Sequence, residues 1–253
     1  MKYRHLVAYT TLLICGSLVI SASTTAGQSG GSEALAARLQ SGDRSDADKQ
    51  RDAGRKPAAV ITYLGIGAGQ TVMDVLAASG YYTEVLSNAV GRSGKVYAQN
   101  TPGMLAFRDG ANDKAMASRL AGNRLPNVQR LDKEFTNLGI EPGSLDVAIT
   151  ALNLHDIFNG SPQGAYDVLM AIKAALRPGG VLGVVDHVGN PGADNAGLHR
   201  MTKAQAVSLA ERAGFNVESS DVLANSEDDH TKMVFAPGLR GNTDRFVLKL
   251  TKP

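Results

Sequence analysis

Cysteine is almost absent from this chain of 253 residues: a single one occurs, Cys15, inside an apolar stretch near the start. The remainder of the chain therefore has no thiol to form a disulfide, a thiolate nucleophile or a thiolate-bound zinc site. This suits an oxidising compartment as well as a reducing one. Tryptophan is missing altogether, and aromatic residues make up 5% of the sequence, too few for the stacking platforms on which single-stranded nucleic acids are held. A charge excess is missing too. Lysine and arginine number 26 against 24 acidic residues, and Lys2 and Arg4 account for the difference. No basic run follows them, so nucleic acid is disfavoured as a partner.

What is present is a globular composition, 43% hydrophobic and 20% charged, enough to fill the core of one α/β domain. The first residues differ from the rest. A short basic start (Lys2, Arg4, His5) leads into the apolar run Leu6–Ile20 and then into small residues, Ser21 to Ala26. This order predicts a secretory signal peptide over residues 1–26, cleaved after Ala22 or Ala26, and a periplasmic or secreted protein. An uncleaved anchor is the alternative, but the run is broken by Tyr9, Thr10, Thr11 and Gly16 and falls short of the ~20 residues a span needs. No stable membrane insertion is expected once the leader is gone. Residues 27–45, rich in Gly, Ser and Asp, are expected to form a flexible segment ahead of a domain over 46–253.

Within that domain, strand-like and helix-like segments alternate. Thr71–Val75, Lys95–Ala98, Val128–Leu131 and Leu145–Thr150 are β-rich, and Val181–Val185 is a continuous apolar run of the kind buried on both faces. Between them lie helical stretches at Tyr82–Val90, Ala111–Leu120 and from Pro162, which Ser161 caps; there Tyr166, Leu169, Ile172 and Leu176 give one apolar face. Thr202 and Gln205 form a capping box before another helix, and strands from Phe215 and over Arg245–Leu250 close the chain. Such alternation predicts a mostly parallel sheet with helices on both sides, and a site at the carboxyl ends of its strands.

Several of these segments resemble class I S-adenosylmethionine-dependent methyltransferases. They are the strand-turn-helix Gly69–Glu84 with Asp74 and Gly80 at its bend, Val90–Ala98, Ser144–Val147, Leu176–Leu182 and Ala213–Phe215. Finer details (Arg51-Asp52, Asn153–Asp156, Arg240–Phe246) resemble a bacterial branch of exported predicted methyltransferases. The resemblance implies a Rossmann-like sheet of seven strands, mostly parallel and flanked by helices, and S-adenosylmethionine as cofactor. It also implies cofactor contacts from Asp74, Ala77, Gly80, Tyr82, Asn100, Glu134 and Asn153. Asp74 would serve the cofactor's amino-acid end, Gly80 would admit the ligand to the backbone, Asn100 would meet the ribose, and Glu134, or neighbouring Asp132, the adenine. The chain departs from the family where two glycines of the turn are replaced by Leu76 and Ala78, and where Asn100 stands in place of an acid.

After the fourth and fifth strands come Asn153, His155 and Asp156, and Asp186 and His187. His155 is the first candidate for a general base and His187 the second, since imidazole titrates near neutral pH. No tight spacing of His and acidic residues marks a metal centre, and none is expected. Serine lacks the elbow that a hydrolase needs. Two functions remain: methyl transfer to a small-molecule acceptor, or a non-catalytic exported binding protein that keeps a degenerate methyltransferase fold.

Overall fold

In the computed structural model, the described residues are Met1 and 23–253, with the side chains of the first helix described from Gly31 onward. The basic start, apolar run and Cys15 of the expected signal peptide lie outside them. Three helices precede the first strand: α1 (Ser23–Ser41), α2 (Asp46–Arg55) and α3 (Pro57–Leu64). The segment expected to be flexible is thus largely helical. Leu35 and Leu39 lie one turn apart on α1, and their side chains are 3% and 1% exposed, packed with Ile61 and Leu64 of α3. Burial of this apolar pair outweighs the glycines and serines around it, as tertiary packing commonly overrides helix propensity.

The rest of the chain alternates as the sequence predicts: β1 (Thr71–Val75), α4 (Tyr81–Val90), β2 (Lys95–Asn100), α5 (Pro102–Leu120), β3 (Val128–Asp132), β4 (Leu145–Ala151), α6 (Leu154–Gly160), α7 (Pro162–Ala175), β5 (Leu176–His187), α8 (Lys203–Arg212), β6 (Asn216–Ser220) and β7 (Arg245–Thr251). The strands form one seven-stranded sheet in the order β3-β2-β1-β4-β5-β7-β6. All neighbouring pairs are parallel except those made by β7, which runs antiparallel to β5 and β6. Strand order reverses between β1 and β4, which opens a crevice at their carboxyl ends.

Side chains alternate across the sheet, and each face is covered. Val72, Val147, Ile149 and Val247 pack against α1, α3 and α4, while Met73, Ala148, Leu182 and Leu248 pack against α7 and α8. The caps are those the sequence marks. Ser161 accepts from Gly164 N at 2.9 Å, and Thr202 and Gln205 cap α8 reciprocally. Helix α5 is broken at Phe107–Gly110, where the backbone leaves helical angles. Among the described residues no helix is long and apolar enough to cross a membrane.

If α1 is a docked element, Leu39→Ala should lower the unfolding free energy by about 2–4 kcal/mol. Arg38→Ala, on the exposed face of the same helix, should change it by less than about 0.5 kcal/mol. Chemical denaturation of the two variants makes the comparison; equal, small effects would mean that α1 is loosely held.

Candidate active site at the carboxyl edge of the sheet

The carboxyl ends of β1, β4 and β5 surround a cavity of about 240 Å³ lined by Asp74, Leu76, Ala77, Ala78, Tyr82, Asn153, His155 and His187 among others. It adjoins a wider one of about 760 Å³, and the two share Arg51, Arg55, Leu152, His187 and Phe235. Together they reach the size of ordinary small-molecule sites. A larger hollow of about 860 Å³ lies around Lys95 and Val128, at the amino ends of β2 and β3, the end of a parallel sheet opposite its ligand crevice.

The turn after β1 keeps a glycine-like backbone without the glycines. Leu76 and Ala78 stand at φ +52° and +49°, and Gly80 at +85°. A left-handed conformation costs a residue with a Cβ roughly 1–2 kcal/mol, so other contacts must hold it. They come from β2: Gln99 accepts from Leu76 N at 3.0 Å, and Asn100 accepts from Ala78 N at 2.8 Å. The Asn100 amide also faces Ala78 O, at 3.4 Å, and the residue is fully buried. The side chain expected to meet a ribose is therefore occupied in bracing the turn. Arg119 of α5 adds a third brace, donating to Ser79 O at 2.8 Å while binding the buried Glu84. Gly80 does not serve close approach of a ligand. A Cβ there would stand 2.9 Å from both Arg119 Cδ and Met116 Cε, so its missing side chain makes room for α5.

Asp74 lies at the end of β1, 3% exposed. Thr83 Oγ1 donates to its Oδ2 at 2.6 Å, and the Thr83 backbone also supports the carboxyl. Burial pushes its pKa up to about 7, only partly offset by Thr83. Tyr82 lines the cavity beside it, and Asn153 reaches from the end of β4, its amide donating to Ala151 O at 3.0 Å. Glu134 is exposed, after β3, and lines neither cavity; Asp132 pairs with Arg130 instead. Of the expected cofactor residues, Asp74, Ala77, Tyr82 and Asn153 are brought together, Gly80 and Asn100 shape the turn, and Glu134 stands apart.

Helix α2 supplies a group that the sequence reading passed over. Asp52 is anchored by Tyr81, whose hydroxyl donates to Oδ1 at 2.6 Å, and by Arg44 at 2.6 Å, which fixes α2 above the crevice. Arg55, one turn beyond Arg51, then reaches both cavities. It lies over the Tyr81 ring at 4.4 Å and has no acidic partner among the described residues. Burial, together with the nearby Arg51, lowers its pKa. The wider cavity is lined by Arg51, Arg55, Arg240 and Arg245 and by no carboxylate. The only signal in the sequence was the i, i+4 spacing of Arg51 and Arg55.

Beyond β4, His155 is 3% exposed and both ring nitrogens are engaged, Nδ1 with Asp186 Oδ1 at 2.6 Å and Nε2 with Asp156 Oδ1 at 3.2 Å. Burial alone would lower its pKa, but Asp186 and Asp156 outweigh it and raise the value to about 9. A proton so held is not available for exchange near neutral pH, so His155 is badly placed to act as the base. His187 is the opposite case. Burial, helped by the positive His155, holds its pKa well below the ordinary value, Thr243 Oγ1 lies 2.7 Å from Nδ1, and the ring lines both cavities. His199, 43 residues along from Asp156 in sequence, also arrives here, its Nδ1 at 2.9 Å from Asp156 Oδ1.

No known protein-family profile matches the sequence, and no curated protein matches it. Solved structures do match. One is an S-adenosylmethionine-dependent methyltransferase from Aquifex aeolicus, TM-score 0.59 and 20% identical, over 78% of this chain and 89% of that one. The chain has the fold of a class I methyltransferase. A putative methyltransferase of Haloferax volcanii, solved with its Trm112 activator, has a TM-score of 0.57 at 16% identity, over 87% and 97% of the two chains. The [4+2]-cyclase SpnF has 0.58 at 17%, over 79% and 81%. That last neighbour shows that this fold carries reactions other than methyl transfer.

The turn makes a paired prediction. Ala78→Gly should relieve the left-handed strain and raise stability by about 0.5–1 kcal/mol. Leu76→Gly relieves the same strain but removes a core side chain, and should lower stability by about 2–4 kcal/mol. Thermal melts of the two variants would show opposite shifts.

Proposed function

We propose that the protein is an S-adenosylmethionine-dependent methyltransferase acting on a small acceptor that carries an anionic group. The observation that carries this reading is the pairing, at one cavity, of a buried carboxyl bound by Thr83 and by no cation (Asp74) and a guanidinium without an acid (Arg55). A zwitterionic amino-acid group needs both, one for its ammonium and one for its carboxylate. The preserved backbone of the turn supports a ligand-binding site over a vestigial one, since strain of this kind persists where surrounding structure enforces it. The fit is better at the amino-acid end than at the ribose, where Asn100 is already engaged, and at the adenine, where Glu134 stands outside.

The cofactor supplies an electrophilic methyl group on a sulfonium. What the chain's residues do is align and neutralise. Asp74, Arg55 and Asn153 orient the cofactor's amino-acid end, and the arginines of the wider cavity hold the acceptor's negative charge. His187, kept neutral by burial, would accept the proton that the acceptor's nucleophilic atom gives up on methylation, in which the sulfur–methyl bond breaks and a neutral thioether is left. Export belongs to this proposal on the strength of the first 26 residues. Cleavage after Ala22 would leave α1 whole, whereas cleavage after Ala26 would remove its first residues. The mass of the native N-terminus distinguishes the two.

Calorimetry with S-adenosylmethionine is the direct test, and no binding at millimolar ligand would overturn the reading. The buried Asp74 adds a pH signature. Its folded pKa is raised, so below about 7 it is protonated and a poorer ammonium acceptor. Affinity should rise as pH passes upward through 7 and level off above it, and Asp74→Asn should abolish that rise. The same shift has the opposite sign for folding. Stability contributed by protonated Asp74 is greatest below the unfolded value of 3.8 and is lost as pH climbs to about 7. His187→Gln should leave cofactor binding within about twofold and reduce turnover by about 10²-fold or more; unchanged turnover would remove it as the base.

A further inference from the structure

We infer that His155, Asp156 and His199 form a binding site for one divalent transition-metal ion of the zinc type, at the rim of the proposed active site. One ligand atom from each lies within 4.8 Å of the others. The two imidazoles converge on a single oxygen: Asp156 Oδ1 is 3.2 Å from His155 Nε2 and 2.9 Å from His199 Nδ1. Two ligands about 2.1 Å from a tetrahedral ion stand ~3.4 Å apart, so these edges are already near the required length. The remaining edge, between the two histidines, closes by movement of His199, whose side chain is 37% exposed.

Two of the three ligands are held in place from behind. Asp186 is completely buried, accepts from His155 N at 2.9 Å and takes the Nδ1–H of the same ring at 2.6 Å. That bond orients the ring, and an ion binding at Nε2 takes the place of the proton that Asp156 now accepts there, the arrangement in which a carboxylate orients a metal-bound imidazole. His199 is fixed by its neighbour. Arg200 is fully buried, binds Asp228 at 2.9 and 3.0 Å and donates to the carbonyls of Val188 and Lys232, so the backbone beside His199 cannot drift. Asp156 is 58% exposed, so the site opens to solvent and to the cavity that it lines. Two imidazoles and one carboxylate with open positions suit zinc or another first-row divalent ion, and do not suit magnesium or calcium, which require oxygen ligands. The sequence hid this site because His199 comes from the long connection between β5 and α8 and has no local spacing to the other two.

The site is independent of the methyltransferase reading, and its test uses no cofactor. The chelator-treated protein is titrated with Co²⁺ and Zn²⁺ by absorption spectroscopy and calorimetry. One equivalent should bind, with visible Co²⁺ bands of low-coordinate geometry that Zn²⁺ displaces. His199→Ala and Asp156→Asn should each weaken binding by at least tenfold, and Asp186→Asn, which touches no ion, by 10- to 100-fold. His230→Ala, at a partly buried histidine outside the cluster, should leave affinity unchanged. Because His199 and Asp156 are partly exposed, their variants should fold, and far-ultraviolet circular dichroism confirms it. Failure of the wild type to bind either ion, or binding that survives both His199→Ala and Asp156→Asn, would overturn the site and leave the three residues as a hydrogen-bonded chain.

Discussion

The carboxylate of Asp186 is the constraint on which the crevice depends. It is wholly buried at the end of a central strand, where an ion without partners would be prohibitive. It therefore gathers donors: the His155 ring, the His155 backbone and the His187 backbone. Those bonds tie the start of α6 to the end of β5 and place two histidines with ring centroids 5.6 Å apart in one pocket. They also divide the roles of the two rings. The one that touches the carboxylate is positive or ligates a cation, and burial, helped by that positive charge, keeps the other neutral.

A second set of polar contacts does for the cofactor side what Asp186 does for the histidines. Asp52 and Glu84 are buried acids on α2 and α4, and they draw in Arg44, Tyr81, Arg119 and Arg124. Buried pairs of this kind add little net stability compared with apolar packing, but breaking one strands a charge, so they fix geometry firmly. Here they hold α2 over the crevice with Arg55 facing it, and they hold α5 against the turn after β1.

Much of the fold was legible in the sequence because its signals are local. The caps at Ser161 and Thr202, the apolar face of α7 and the uninterrupted Val181–Val185 each report the structure around themselves. The turn at Asp74 was legible by position. Three things were not. Helix α1 contains glycine and serine enough to suggest a loose segment, and only the distant surface of α3 makes Leu35 and Leu39 worth burying. The amide of Asn100 reads as a ligand contact until its partner, Ala78, is seen 22 residues upstream. Arg55 and His199 join the histidines already marked after β4 and β5 only when the fold brings α2 and the β5–α8 connection to the same edge of the sheet. In each case the deciding contact joins residues that no local pattern connects.

The turn made of leucine and alanine has a consequence for how such a chain is recognised. Glycine is the letter by which such a turn is usually recognised in a sequence, and here the same backbone angles are supplied by other letters. A comparison of coordinates reads only the path of the backbone, which is unchanged. Leu76 also fills part of the main core, so replacing it with glycine would open a void as it relieved the strain. Leucine and glycine are therefore not interchangeable at that place: the strain of the left-handed backbone and the packing of the side chain are tied to one another, and neither can be changed alone.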